Sequence, residues 1–103
     1  MDAYRVIIMP RASRDLDQIH ARIAKDAPLN ADAMVKRILD AMEPLKTFPS
    51  RMVVIAQKGG LREPVRSVPV WPYIIYFRLV ERRKLVEILH VRHGARRKPK
   101  RFG

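Results

Sequence analysis

The sequence contains no cysteine. Disulfides, zinc–thiolate sites and thiol catalysis are thereby excluded together, and a reducing compartment suits the chain. Glycine is scarce, at four residues among 103. Its one pair, Gly59-Gly60, precedes a strand-like pattern instead of a helix, so no glycine-rich phosphate loop is present. No apolar run reaches the ~20 residues of a membrane span. The longest candidate, VRSVPVWPYIIYFRLV, is interrupted by Arg66, Pro69, Pro72 and Arg78. The opening MDAYRVIIMPRAS carries Asp2 and closes its short apolar run at Pro10, unlike a secretory leader. A cytoplasmic protein with no membrane partner is the expectation. Three histidines, His20, His90 and His93, show no metal-ligand spacing. His90 and His93 stand three apart on a strand-like run and so point to opposite faces. No metal and no cofactor are expected, and no serine triad is visible.

Acidic residues are also in short supply, and unevenly so. Residues 1–50 hold eight Lys/Arg against seven Asp/Glu, whereas residues 51–103 hold fourteen against three. The formal net charge of +12 and the pI of about 11.1 therefore come almost wholly from the second half. That half is suited to an anionic partner, a phosphate backbone or an acidic protein. At 12.0 kDa the chain is one domain, residues 1–103, with a basic tail at 96–103.

YRVIIM, residues 4–9, reads as a first strand, rich in β-branched residues and ended by Pro10. In RASRDLDQIHARIAKDA the residues Ala12, Leu16, Ile19 and Ile23 recur at helical spacing, while Arg14, Gln18 and Arg22 form a wet face. Ala27-Pro28 breaks this helix. Asn30 is the expected N-cap of a second helix, NADAMVKRILDAMEPLKTF, with an apolar set of Met34, Val35, Ile38, Leu39, Met42 and Leu45. Asp32 and Lys36 have the spacing of an i,i+4 pair, and Pro44 should kink or end the helix. The apolar face of this helix is broad enough that part of it should meet a partner. MVVIAQ reads equally as an edge strand or a loop. LREPVRSVPV alternates, with Arg62 and Arg66 on the face of Val68 and Val70, and its prolines mark an edge or bulged strand. PYIIYFRLV is a strong strand and ERRK a hairpin turn. LVEILHV has the continuous apolarity of a central strand. The expected fold is α+β: an N-terminal strand, a two-helix hairpin, then three antiparallel strands.

Chemistry is concentrated in Arg62, Arg66, Arg78, Arg92, His93, Arg96 and Arg97, which an antiparallel sheet could bring to one basic surface. Such a surface suits phosphate, with His93 or Glu63 placed to act as acid or base in RNA cleavage. Solvated arginines on an open sheet face are the plainer reading of any one of them. Trp71, Tyr73 and Tyr76 offer rings that could stack on bases or fill the core. Six Lys/Arg and no acid fall in the last twelve residues, which gives the tail, Lys98 included, polyanion affinity.

Taken in order, YRVIIMPRASRDLDQI, LKTFP, LRE, YIIYFRL and VEILHVRHGARR resemble the RelE/ParE superfamily of toxins from type II toxin–antitoxin systems, over roughly residues 4–97. The resemblance implies a microbial-RNase-like sheet under a helical hairpin. It also implies a role in plasmid stabilization and a hetero-oligomer with a cognate antitoxin. The apolar helix face at Val35, Leu39 and Met42 would be the antitoxin-binding surface. Two activities follow from the family. A RelE-like member cuts mRNA on the ribosome, an mRNA interferase, and would here use Arg62, Arg78 and His93 as catalytic residues. A ParE-like member poisons DNA gyrase without hydrolysis, using Arg62, Arg66, Arg78, Arg92, Arg96, Arg97 and Lys98 to bind its target. The HGARR ending, with no tyrosine after it, resembles the ParE side. A non-enzymatic gyrase poison is therefore the favoured expectation.

Overall fold

Prolines set the helix starts. In the computed structural model, which describes residues 3–56 and 63–95, strand β1 (Arg5–Ile8) leads directly into helix α1 (Pro10–Ala24), with Pro10 in its first turn. Helix α2 (Pro28–Ala41) likewise begins on a proline, with Ala27 as its N-cap. The fixed φ of proline suits the first helical position, and its missing N–H costs nothing there. This corrects the expectation of an Asn30 cap: with Ala27 as the cap, the helix starts three residues earlier, at Pro28, and Asn30 is an exposed residue of its first turn. The expected Asp32–Lys36 pair also gives way to other partners. Asp32 Oδ1 lies 2.7 Å from His20 Nε2, joining the two helices, and Lys36 bonds Asp40 at 2.7 Å. As anticipated from Pro44, the α-helix stops at Ala41, and a 3₁₀ turn follows at Glu43–Lys46.

Four strands follow: β2 (Val53–Ala56), β3 (Val65–Val70), β4 (Tyr73–Val80) and β5 (Leu85–His93). Their sheet order is β1-β5-β4-β3-β2. The α+β class and its order of strand, helical hairpin and antiparallel strands are as the sequence implies. The structure settles two details. Of the two readings of MVVIAQ, the edge strand holds: residues 53–56 pair with β3. β1 runs parallel to β5, from Arg5 beside Leu85 to Ile8 beside Ile88. The chain returns to β1 only after both helices have been laid across the sheet, and such long crossovers are what parallel pairs require.

The core lies between helices and sheet. Ala12, Ile19, Met34, Ile38, Met42 and Leu45 meet Ile75, Phe77, Leu79, Val86 and Ile88. Full burial of residues such as Ile38 and Phe77 contributes about 1.5–3 kcal/mol each. Alternate residues form a smaller cluster of Val65, Tyr76 and Leu89 with Met9, Ile55 and Ile74, so β4 and β5 are buried on both faces. At the far end of the sheet, Tyr4 Oη donates to Glu81 in the β4–β5 turn. This bond, helped by Lys84, holds the Glu81 carboxyl below its usual range; the same bond raises the Tyr4 phenol, against an opposing effect of Lys84. Among the described residues, no helix is long and apolar enough to cross a membrane.

Candidate functional site: an arginine-lined cleft

β1 covers the edge of β5 only as far as Ile88. Beyond it the backbone of β5 would stand open, and α1 closes the gap with a carboxylate. Asp15 Oδ2 accepts the Val91 N–H at 3.0 Å, and lies 3.6 Å from His90 Nδ1. Both Asp15 and His90 are buried. Asp15 belongs to a polar stripe, Arg11–Asp15–Gln18–Arg22, whose steps of four, three and four repeat those of the apolar stripe Ala12–Leu16–Ile19–Ile23 one residue later. The apolar stripe turns into the core, so the polar stripe runs along the rim where helix meets strand.

There it forms one wall of a cavity of about 190 Å³, whose other wall is Tyr73, Val91, Arg92 and His93. Arg11, Arg22 and Arg92 are among its lining residues, but Arg92 is the register partner of Ile74 and its charge acts on the Tyr76 phenol, so its side chain lies on the sheet face away from α1. The cavity's one carboxylate is Asp15, which already accepts the Val91 N–H and has Arg11 Nε at 3.6 Å. Arg92 Nε is buried without a hydrogen-bond partner among the described residues. A shallower groove of about 650 Å³ adjoins the cavity. It shares Arg22, Tyr73 and His93, and adds Ile23, Met34, Arg37 and Pro72.

The corner that ends the cleft is fixed by short-range contacts. Tyr73 and His93 are cross-strand partners, with ring centroids 5.5 Å apart in an edge-on arrangement. His93 Nδ1 accepts the Ala95 N–H at 3.1 Å, which places the proton of a neutral ring on Nε2. Gly94 N–H donates to the Pro72 carbonyl at 2.7 Å. A Cβ at Gly94 would stand 2.5 Å from Trp71 Cζ3 and 3.2 Å from Pro72 O, so the turn needs glycine for this approach. Arg37 Nη2 donates to the Trp71 carbonyl at 3.3 Å, tying α2 to the same corner.

The residues singled out from sequence do not share one surface. Arg92 and His93 line the cleft. Arg78 stands beside Glu87 in the strand register, and its Nε donates to Glu87 Oε1 at 2.8 Å. It lies five residues along β4 from Tyr73, the partner of His93, which is roughly 17 Å of strand, and its alternation places it on the opposite face. Arg66 is used structurally, donating to the carbonyls of Ser50 and Met52 at 2.9 and 2.8 Å. It thereby holds the Pro49–Arg51 turn against β3. The expected convergence of Arg66, Arg78, Arg92 and His93 is corrected accordingly: sheet alternation and local carbonyl and carboxylate partners separate them. Arg62, Arg96, Arg97 and Lys98 fall outside the described residues. Of the rings, Tyr73 and Tyr76 are core, and burial pushes the Tyr76 phenol up from its ordinary value, while Trp71 is exposed.

The helix face divides too. Leu39 is 40% exposed and Val35 half-buried, but Met42 is only 4% exposed. The chain leaves the α-helix at Ala41, and Met42 turns inward to the core, so it is not part of an open docking face. What sequence reading missed was α1. Arg11 and Arg22 build half the cleft, and the doubled four-three-four stripe was the signal that could have found them.

The sequence matches the model of the ParE toxin family of type II toxin–antitoxin systems, parDE, over residues 6–98. The chain belongs to this family. Solved structures of the same fold include the chromosomal ParDE toxin–antitoxin system from P. aeruginosa, at 22% identity and a TM-score of 0.71, covering 88% of this chain and 96% of the other. The toxin–antitoxin complex RelBE2 from Mycobacterium tuberculosis matches at 24% identity and a TM-score of 0.62, covering 88% and 98%. The archaeal RelE–RelB complex from Pyrococcus horikoshii OT3 matches at 18% identity and a TM-score of 0.64, covering 92% and 99%. A comparison with curated proteins gave no significant match. This ParE-family chain is thus a type II toxin whose fold is common to ParE and RelE proteins.

Proposed function

We propose that this toxin arrests growth by acting on DNA gyrase, without hydrolysis, and is held inactive by a cognate antitoxin. The carrying observation is the fate of Arg78. A nuclease built from Arg78 and His93 needs both at one phosphate, within about 3 Å of the reacting atoms. Here Arg78 is paired with Glu87 on the other face of the sheet from His93. His93 instead packs on Tyr73 and receives the Ala95 N–H, a role in shaping the strand exit that involves no proton transfer. Arg92 and the basic tail, Arg96, Arg97 and Lys98 among it, are the groups that engage gyrase or its DNA. Membership of the ParE family supports the same reading.

Antitoxin binding is supported by the three solved relatives, each a toxin–antitoxin system or complex, and by the apolar surface at Leu39 and Val35. The deciding experiment adds the purified toxin separately to a gyrase supercoiling assay and to translating ribosomes carrying labelled mRNA. Loss of supercoiling with intact mRNA is the expected result. Cleaved mRNA with normal supercoiling overturns the reading.

A further inference from the structure

We propose that the corner where the β3–β4 turn meets the end of β5 binds single-stranded nucleic acid, with the Trp71 indole stacked on an unpaired base and the adjoining cationic chain on the phosphates. The inference goes beyond the gyrase reading and does not rest on it, since an unpaired base offers the same flat face whether the strand is DNA or RNA.

Elimination singles out the ring. Tyr73, Tyr76 and Phe77 are buried. Phe48 is exposed, but the Arg51 guanidinium lies over its face at 5.8 Å, and the Lys84 ammonium lies over the Tyr4 ring at 5.0 Å. Among the described residues this leaves Trp71, 64% exposed, as the open aromatic surface. It is also held in place. The Trp71 carbonyl accepts Arg37 Nη2 at 3.3 Å, and the Pro72 carbonyl accepts the Gly94 N–H at 2.7 Å. The bare Cα of Gly94 lets the indole edge close on the strand exit. A ring already ordered in this way has less freedom to lose on binding. Stacking on it is tolerant of sequence, because every base has a π-face.

Charge names the partner. The two segments that meet at this corner, residues 64–80 and 88–103, hold two and six Lys/Arg and no Asp or Glu. Arg92 stands two residues before Gly94, roughly 7 Å of strand, and the cationic run from Arg96 begins two residues after it. An aromatic platform beside a cationic run is how proteins hold single strands: the cations take the phosphates and the ring takes a base. A duplex keeps its base faces inside the stack, so the ring selects unpaired bases. A protein-docking hot spot instead sits at the centre of a broader desolvated patch. The exposed residues tied to Trp71 are Pro72, Arg37 and Ala95, not large apolar ones.

Trp71 is the sole tryptophan of the chain, so its emission reports on this ring directly. The test titrates the full chain with oligothymidylate, oligouridylate, a DNA duplex of matching length, polyphosphate and a glutamate-rich peptide. Both single strands should quench the emission saturably, whereas polyphosphate, which offers charge without bases, should bind without quenching. The quenching is read on the unaltered chain and so does not depend on how any variant folds. Affinities from the anisotropy of labelled strands should fall about tenfold or more in Trp71→Ala and return to within about threefold of the parent in Trp71→Phe, with both variants melting as the parent does. The slope of log affinity against log salt should be unchanged in Trp71→Ala, because a ring releases no counter-ions; a variant that had merely disordered the basic corner would flatten it. The tighter of the two single strands assigns the site to DNA or to RNA. The proposal is overturned if the single strands bind without quenching, if folded Trp71→Ala binds them unchanged, if the duplex quenches as fully as they do, or if the acidic peptide outcompetes them.

Discussion

Asp15→Ala should destabilise the protein far more than an ordinary helix-surface substitution. The residue occupies an interior turn of α1, where alanine has the better intrinsic helix propensity. Propensity alone would thus predict a gain. The tertiary role reverses the sign. Asp15 Oδ2 is the acceptor for Val91 N–H at 3.0 Å, and Val91 is only 2% exposed, so removing the carboxylate strands a buried donor. That costs about 1–3 kcal/mol. The Arg11 pair adds little, under about 1 kcal/mol, because the Arg11 side chain is 57% exposed and solvent screens it. A total near 2–3 kcal/mol corresponds to a fall in Tm of roughly 10–20 °C for a domain of this size. Asp15→Asn keeps an oxygen acceptor in place and should recover most of the loss. Thermal unfolding gives the magnitude, and hydrogen exchange at the Val91 amide gives the location, with faster exchange in the alanine variant than in the asparagine variant. An Asp15→Ala protein that melts within about 3 °C of the parent, a change below ~1 kcal/mol, would refute the edge-closing role.

Other outcomes follow from the same structure. Glu87→Gln should cost roughly 1–3 kcal/mol in denaturant unfolding, since it leaves the part-buried Arg78 without its charge partner, and adding Arg78→Met should restore part of that loss. Leu39→Asp should leave the melting curve nearly unchanged, because Leu39 is a surface residue, yet weaken antitoxin capture in a pull-down; a misfolded variant would instead mark Leu39 as core. His93→Gln should retain much of the growth arrest, whereas neutralising the basic residues from Arg96 to Arg101 should abolish it; a nuclease using His93 as acid would lose ~10²–10⁴ in rate and reverse that order. Burial raises the Tyr76 phenol above its ordinary 10.0, so the native state keeps this proton to higher pH than the unfolded chain does. This contribution is full below pH 10 and is lost as pH climbs from 10.0 through the raised native value. Phenolate absorbance and unfolding measured together should show a smaller alkaline loss in Tyr76→Phe.

The sequence by itself determined the elements that local periodicity can encode. Ala12, Leu16, Ile19 and Ile23 define the buried face of α1, PYIIYFRLV reads as a strong strand, and the unbroken apolarity of LVEILHV marks a central one. The ordered pieces from YRVIIM to VEILHVRHG were enough for the family. Pro28 both breaks the first helix and starts α2, three residues ahead of the start an Asn30 cap would give. Which residue caps the helix is a matter of backbone geometry that pattern alone does not resolve.

Only the tertiary structure decided which charges meet. β1 pairs with the last strand, a choice made across some eighty residues of chain, and because it stops at Ile88 it leaves a strand edge that Asp15 must close. The same docking swings Arg11 and Arg22, from the half of the chain with almost no net charge, toward His93. It sends Arg78 and Arg66, from the strongly basic half, to Glu87 and to backbone carbonyls. Net charge is a sum over the sequence and has no position, whereas a binding site depends on which charges end within a few ångströms of one another. Those distances are set by strand register and helix packing between segments far apart in the chain.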